Sequence, residues 1–261
     1  MFTTQRNADA ILFLVAGGIS ALLALFAWHR RAMPRAPAFG AMMAGETAWA
    51  LGEALELIAV DRTVKLLFLN IRVLGAHISV MGLLAFVLHY SGRSRWLEAR
   101  RFGLICAPSM LLVLLAWTNP WHHLYWAGTE MRPVGELQLL YRDYGPGFWT
   151  SLAYSYGLVG VSTTLLAAAV VKTAGVYRAQ AAIMLFGVLV PWVVSIIDMT
   201  HALGVIYVDA AAATFTFTGL AFLPSLARLR LLELTPVALA AVVKRMNDPV
   251  VVLDRLGRIA D

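Results

Sequence analysis

Seven stretches of this chain stay apolar over about 20 residues, the length a helix needs to cross the hydrocarbon of a bilayer. They are residues 10–28, 38–59, 66–90, 102–118, 147–171, 179–200 and 205–227. Within hydrocarbon every backbone N–H and C=O must find its partner inside the segment, so such runs confine the chain to a helical bundle. Composition agrees. Of 261 residues 60% are hydrophobic and only 14% charged, and the mean hydropathy is +0.74, against about half apolar residues in soluble domains. The expected fold class is all-α: a polytopic, multi-pass seven-helix transmembrane bundle. The first run is followed by His29, Arg30 and Arg31 with no small-residue cleavage site, so it reads as a retained span rather than a signal peptide. The lone cysteine, Cys106, excludes an intramolecular disulfide.

The connections set an orientation. Arg30, Arg31 and Arg35 follow the first run, and Arg93, Arg95, Arg100 and Arg101 follow the third. Lys172 and Arg178 follow the fifth, and Arg228 and Arg230 the seventh. The even-numbered connections mix Arg62, Lys65, Arg132 and Arg142 with Asp61, Glu130, Glu136 and Asp143. Basic residues collect on the cytoplasmic side, so the N-terminus is expected outside and the C-terminus inside. The net charge of +6 then reflects cytoplasmic loops, and nucleic acid is not an expected partner.

The second run carries Glu46, Glu53 and Glu56. At about 100° per residue, Glu53 returns almost above Glu46 and Glu56 lies about 60° away. Trp49 shares that side. A carboxylate facing lipid costs about 2.5–3.5 kcal/mol even on the lenient scale, so the stripe must face the inside of a bundle. Arg72 and His77 lie in the third run, and Asp198 and His201 at the end of the sixth. Helical rise places Arg72 roughly 9 Å below the outer surface, near the depth of Glu53. Two readings stay open. Arg72 pairs with Glu53 or Glu56 and fixes helix register, or these groups line a cavity open to the outside and bind a polar ligand or sense protons. Gly17, Gly18, Gly45, Gly52 and Ala211 to Ala213 would let helices approach closely. Pro191 would kink the sixth span and free a carbonyl.

The longest connection, 119–146, opens Asn119-Pro120-Trp121-His122-His123. Its Trp and Tyr residues suit an interfacial belt. The His pair lacks a third ligand at metal spacing, so it reads as solvated and no metal is expected. Residues 136–142 alternate loosely, as a short strand or hairpin arm would. After the seventh run, Thr235-Pro236 reads as an N-cap and first helical position, and Val250-Val251-Val252-Leu253 as a short strand.

These features together are similar to a known module. Thr118-Asn119 with Trp121-His122, Tyr144-Gly145-Pro146-Gly147-Phe148-Trp149, Arg178 and Gln180, Pro191, Asp209, Phe215 and Gly219 follow in order. The exit continues with Leu229-Arg230-Leu231-Leu232, Pro236, and Asp248-Pro249 before the valine run. The chain resembles the N-terminal seven-transmembrane sensor region of bacterial histidine kinases. It departs from the pattern at Ser195, where Asn is frequent, and at Ala210 to Ala212, where Thr-Pro follows Asp209. The resemblance implies a sensor domain at 1–227, a cytoplasmic signalling helix at 228–247 and the start of a PAS-like domain at 248–261. It implies signal transduction in a two-component system, or into a diguanylate cyclase, with a homodimer formed through the exit helices. The signal is an unknown small molecule or ion. Candidate sensing residues are Glu46, Glu53, Glu56, Arg72, His77, Asp198 and His201; candidates in the external loop are Trp121, His122 and Tyr144; candidates for transmission are Pro191, Arg230 and Pro236. The chain itself holds no phosphate loop, kinase histidine box or cyclase signature, so no catalysis and no cofactor are expected. The alternative is a small transporter or proton-coupled carrier using the Glu/Arg/Asp cluster, although no inverted repeat is evident. A retinal photoreceptor is excluded by the lack of Lys in the seventh run.

Overall fold

The computed structural model describes residues 2–134, 137–199, 214–216 and 218. Its order is α1 (Phe2–His29), α2 (Ala36–Ile58), α3 (Arg62–Tyr90), α4 (Ala99–Trp117), the single turn α5 (Asn119–His122), strands β1 (Trp126–Val134) and β2 (Leu137–Tyr144), α6 (Pro146–Lys172) and α7 (Gly175–Met199). Residues 214–216 and 218, within the seventh apolar run, are helical as well. Among the described residues five helical segments are long and apolar enough to span: Ala10–His29, Arg62–Tyr90, Ala99–Trp117, Pro146–Lys172 and Tyr177–Ile197. The second run, expected to be apolar enough, does not reach that measure. Its three glutamates and its glycines at 40, 45 and 52 dilute it, and α2 instead buries 12 of its 23 residues against its neighbours.

That enclosure rests on backbone contact. A Cβ built on Gly75 of α3 would lie 2.6 Å from Gly45 O and Trp49 N of α2. Alanine at either glycine would force the two helices apart, and in lipid such close packing replaces the missing hydrophobic drive. Gly17 of α1 instead meets the Leu51 side chain, whose Cδ2 a Cβ would approach at 2.6 Å, whereas Gly18 faces open space. A continuous core of Phe39, Met42, Phe86, Tyr90, Leu166 and Met184 joins α2, α3, α6 and α7. Leu104, Met110 and Leu111 of α4 are 66–70% exposed, the distribution of a helix on the lipid-facing rim.

The two ends of the bundle are built differently. At one end Arg35, buried before α2, lies 5.4 Å from the centroid of the Tyr90 ring. The Tyr90 hydroxyl donates to Tyr177 O at 3.1 Å, tying α3 to the start of α7. Burial lowers the Arg35 pKa to about 10, so it stays a cation at neutral pH. At the other end β1 and β2 pair antiparallel, with Trp126 opposite Tyr144 and Val134 opposite Leu137, and an irregularity between Trp126 and Gly128. The expected single arm at 136–142 is one strand of this hairpin. Its partner β1 went unseen because Gly128 and Pro133 interrupt the β pattern. The Arg62 guanidinium donates to Thr129 Oγ1 at 3.0 Å and anchors the hairpin to the first turn of α3, which Asp61 caps by accepting from Thr63 N and Val64 N.

Candidate functional site

Under the hairpin, the last turns of α2 meet the first turns of α3. Seven residues separate Glu46 from Glu53 and three separate Glu53 from Glu56, so all three project from one side of α2, and all are buried. Arg72 bridges two of them. Its Nη1 lies 2.5 Å from Glu56 Oε2, and its Nη2 pairs with Glu53. Arg142, from β2, reaches the other Glu56 oxygen at 3.4 Å. Lys65 Nζ donates to the Glu56 carbonyl at 2.6 Å, which satisfies one of the orphan carbonyls at the α2 C-terminus with a cation, the sign the helix dipole favours there. Sequence reasoning found Arg72 but read Lys65 and Arg142 as loop charges. Three cations therefore serve this cluster where one was expected.

A second network lies deeper. His77 bridges α3, α4 and α6 through Ser109 Oγ at 3.1 Å and Ser151 Oγ at 2.8 Å. The Tyr125 hydroxyl donates to the same Ser151 oxygen at 3.0 Å. Ser151 Oγ accepts from Tyr125 and, with a second lone pair and its own proton, suits either tautomer of His77. Burial raises the Tyr125 pKa to about 12, so the phenol keeps its proton. The base of the hairpin is fixed by Asn119, whose Oδ1 accepts from Tyr125 N and Trp126 N at 2.8 and 2.9 Å and whose Nδ2 donates to Trp126 O at 3.0 Å.

Both networks border one cavity of about 820 Å³, within the usual range for a small-molecule site. Glu53, Glu56, Lys65, Arg72, Arg142 and His77 line it on the polar side. Trp49, Tyr125, Trp126, Phe148, Tyr156 and Trp192 make an aromatic wall. Tyr144 and Trp149, 45% and 51% exposed, form a rim, and Tyr144 stacks on Phe148 with centroids 4.0 Å apart. The structure thus gathers Glu53, Glu56, Arg72, His77, Tyr144 and Pro191 at one place. Glu46 is buried two turns further down α2 and does not line the cavity. Trp121 is 85% exposed and away from it. His122 is engaged locally: Leu124 N donates to its Nδ1 at 3.0 Å, and Nε2 meets Thr118 Oγ1 at 3.0 Å. Asp198 falls in the last turn of α7. His201, Arg230 and Pro236 lie outside the described residues, as do the segments at 228–247 and 248–261 and the alanines at 211–213. Among the described residues no group of three His, Cys, Asp or Glu is placed to hold a metal.

Pro191 has no N–H to give to the carbonyl four residues earlier, Gly187 O. That carbonyl accepts instead from Thr218 Oγ1 at 2.6 Å. Nearby, Phe215 lies against Trp49 with centroids 5.4 Å apart. The cavity is therefore bordered by residues that also contact the seventh apolar run.

The chain is a multi-pass helical membrane protein with a charged and aromatic cavity under a β-hairpin. The model of the N-terminal 7TM region of histidine kinase matches residues 12–236, and the chain belongs to that family. The family is a membrane sensory input module rather than a catalytic domain. No curated protein matches the chain.

Proposed function

We propose that the cavity is the signal-binding site of this input module and that it opens to the external side. The N-terminus lies outside, the chain crosses an inner membrane seven times with α2 as the enclosed second span, and the C-terminus enters the cytoplasm. The observation that carries this reading is the Glu53–Arg72–Glu56–Arg142 cluster: intramembrane charge is costly, and here it borders a cavity of ligand size rather than sealed core. Occupancy favours one of two bundle arrangements, since a ligand shifts an equilibrium only through its difference in affinity for the two states. The contacts of Phe215 and Thr218 with α2 and α7 support the seventh helix as the element that carries the change, through a dimer of exit helices, to a PAS-like domain and a kinase. The glutamates, Arg72, His77 and Asp198 are assigned to sensing, with Pro191, Arg230 and Pro236 in transmission.

The test is a fusion of the membrane module to a reporter kinase, with phosphorylation measured as the external medium is varied. Arg72→Leu and His77→Ala should insert normally and abolish the response. A full response in both variants would remove the cavity from signalling.

A further inference from the structure

We infer that the cavity takes an uncharged, flat molecule with a carbonyl-type hydrogen-bond acceptor, of the class of an aromatic ketone, received by the indole N–H groups of Trp126 and Trp192. This rests on the reading of the cavity as the signal site and adds the chemistry of the ligand. Charge sets the first limit. Among the described residues the lining holds three carboxylates, Glu53, Glu56 and Asp143, and three cations, Lys65, Arg72 and Arg142. The count balances, and the buried groups answer one another. Arg72 pairs with Glu53 and Glu56, Arg142 reaches Glu56 at 3.4 Å, and Lys65 donates to the Glu56 carbonyl. Both His77 nitrogens meet serine hydroxyls. An ion entering such a site gives up its water for no excess of opposite charge, and that desolvation is costly. A neutral molecule avoids the cost. Hydrogen bonding sets the second limit. Trp126 is 4% exposed and lines the cavity, and its Nε1 is buried with no hydrogen-bond partner among the described residues. Trp192, from α7, also lines the cavity, and its Nε1 is in the same condition. An indole N–H can only donate. Buried, it ordinarily finds an acceptor, and leaving that bond unmade is costly. The nearby hydroxyls of Tyr156 and Ser195 already meet each other at 2.7 Å. What this wall lacks is therefore an acceptor, and a carbonyl oxygen is a neutral group that accepts without donating. Both indoles border the void, so a bound carbonyl meets either N–H after a small turn of its side chain. The faces of Trp49, Tyr125 and Phe148 complete the wall, and aromatic faces and edges pack best against another flat ring, which fixes the class of the body.

The experiment measures binding to the purified intact protein in lipid nanodiscs, by calorimetry and thermal melts, with protein-free nanodiscs as the blank. It compares the ketone, hydrocarbon, acid and amine of one body: acetophenone, ethylbenzene, benzoate and benzylamine, repeated with the naphthyl series and set against maltose. The ketones should bind about fivefold tighter than their hydrocarbons, the worth of one net hydrogen bond, and raise the melting temperature, with the acid and the amine weakest. Removing one N–H, in Trp126→Phe or in Trp192→Phe, should shrink the ketone's lead over its hydrocarbon about threefold or more. That lead is a ratio within each variant, so a change in packing alone does not move it, and the ranking in the wild-type protein decides even where a variant fails to fold. No lead of ketone over hydrocarbon, an acid or amine binding tightest, maltose binding tighter than the ketones, or a lead unchanged in both variants would overturn the proposal. Ketone binding without any change in the phosphorylation of the reporter would leave the ligand class standing and overturn the sensor reading. A stimulus response lost in Arg72→Leu and His77→Ala, with no lead of ketone over hydrocarbon, would do the reverse.

Discussion

Arg72 faces two buried carboxylates at once, so its removal differs in kind from removal of either partner. Arg72→Leu leaves Glu53 and Glu56 buried with, among the described residues, Lys65 and Arg142 as the cations near the site, and breaking a buried ion pair by one partner costs about 3–5 kcal/mol. Glu53→Gln leaves Arg72 paired with Glu56, at about 1–3 kcal/mol. The double variant should melt above Arg72→Leu alone, because one uncompensated charge has gone with the cation; additive melting shifts in detergent would refute this coupling. Tyr125 supplies a pH prediction of definite sign. Its folded pKa, about 12, lies above the ordinary value near 10. Its contribution to stability is therefore complete below pH 10 and lost as pH rises through 12. Tyr125→Phe should flatten the alkaline limb of a melting-temperature profile in that window and leave the neutral region unaffected by titration. At this scale the carboxylates were legible in the sequence, because helical period alone fixes their common side. Arg142 and Lys65 were not, since only the fold brings a hairpin strand and a helix N-terminus onto the end of α2. The local use of His122, whose ring bonds Leu124 N and Thr118 Oγ1, was not legible either.

At the scale of elements, α7 and helical Thr218 are joined by a bond that follows from a proline. Pro191 orphans Gly187 O, and Thr218 satisfies it. Thr218→Val should cost about 1–2 kcal/mol, the loss of a hydrogen bond to a buried carbonyl. In a Pro191→Ala background the helix regains its own N–H donor, and Thr218→Val should then cost little. Melts of the four proteins in nanodiscs give the cycle, and equal costs in the two backgrounds would show that Thr218 does not serve the carbonyl freed by Pro191. The sequence shows that Pro191 frees a carbonyl but not which group takes it. Among the described residues, α2 to α4, α6 and α7 were legible to within a few residues of their ends, since runs of 20 apolar residues leave few alternatives. The hairpin was legible only in half, because β2 alternates while β1 carries Gly128 and Pro133.

The whole molecule is asymmetric about the membrane plane, and that asymmetry decides where a ligand must come from. The hairpin, the charge cluster and the cavity share one end of the bundle; Arg35 with Tyr90 and the turn from α3 to α4 hold the other. The membrane class was readable from apolar runs, and the bias of Lys and Arg between connections gives an orientation still to be measured, whereas the size and lining of the cavity were not readable, because a void is a property of packing and not of any residue. Orientation can be measured directly. In a Cys106→Ser background, Arg132→Cys on the hairpin and Arg95→Cys between α3 and α4 place a thiol at exposed positions on opposite ends. A membrane-impermeant maleimide should label the Arg132→Cys protein in intact cells and the Arg95→Cys protein only after permeabilisation. The opposite pattern would turn the cavity toward the cytoplasm, and a buried cluster of charges that opens to the cell interior could sample only an internal metabolite. The labelling pattern thus fixes, before any ligand is known, which side of the membrane the receptor samples.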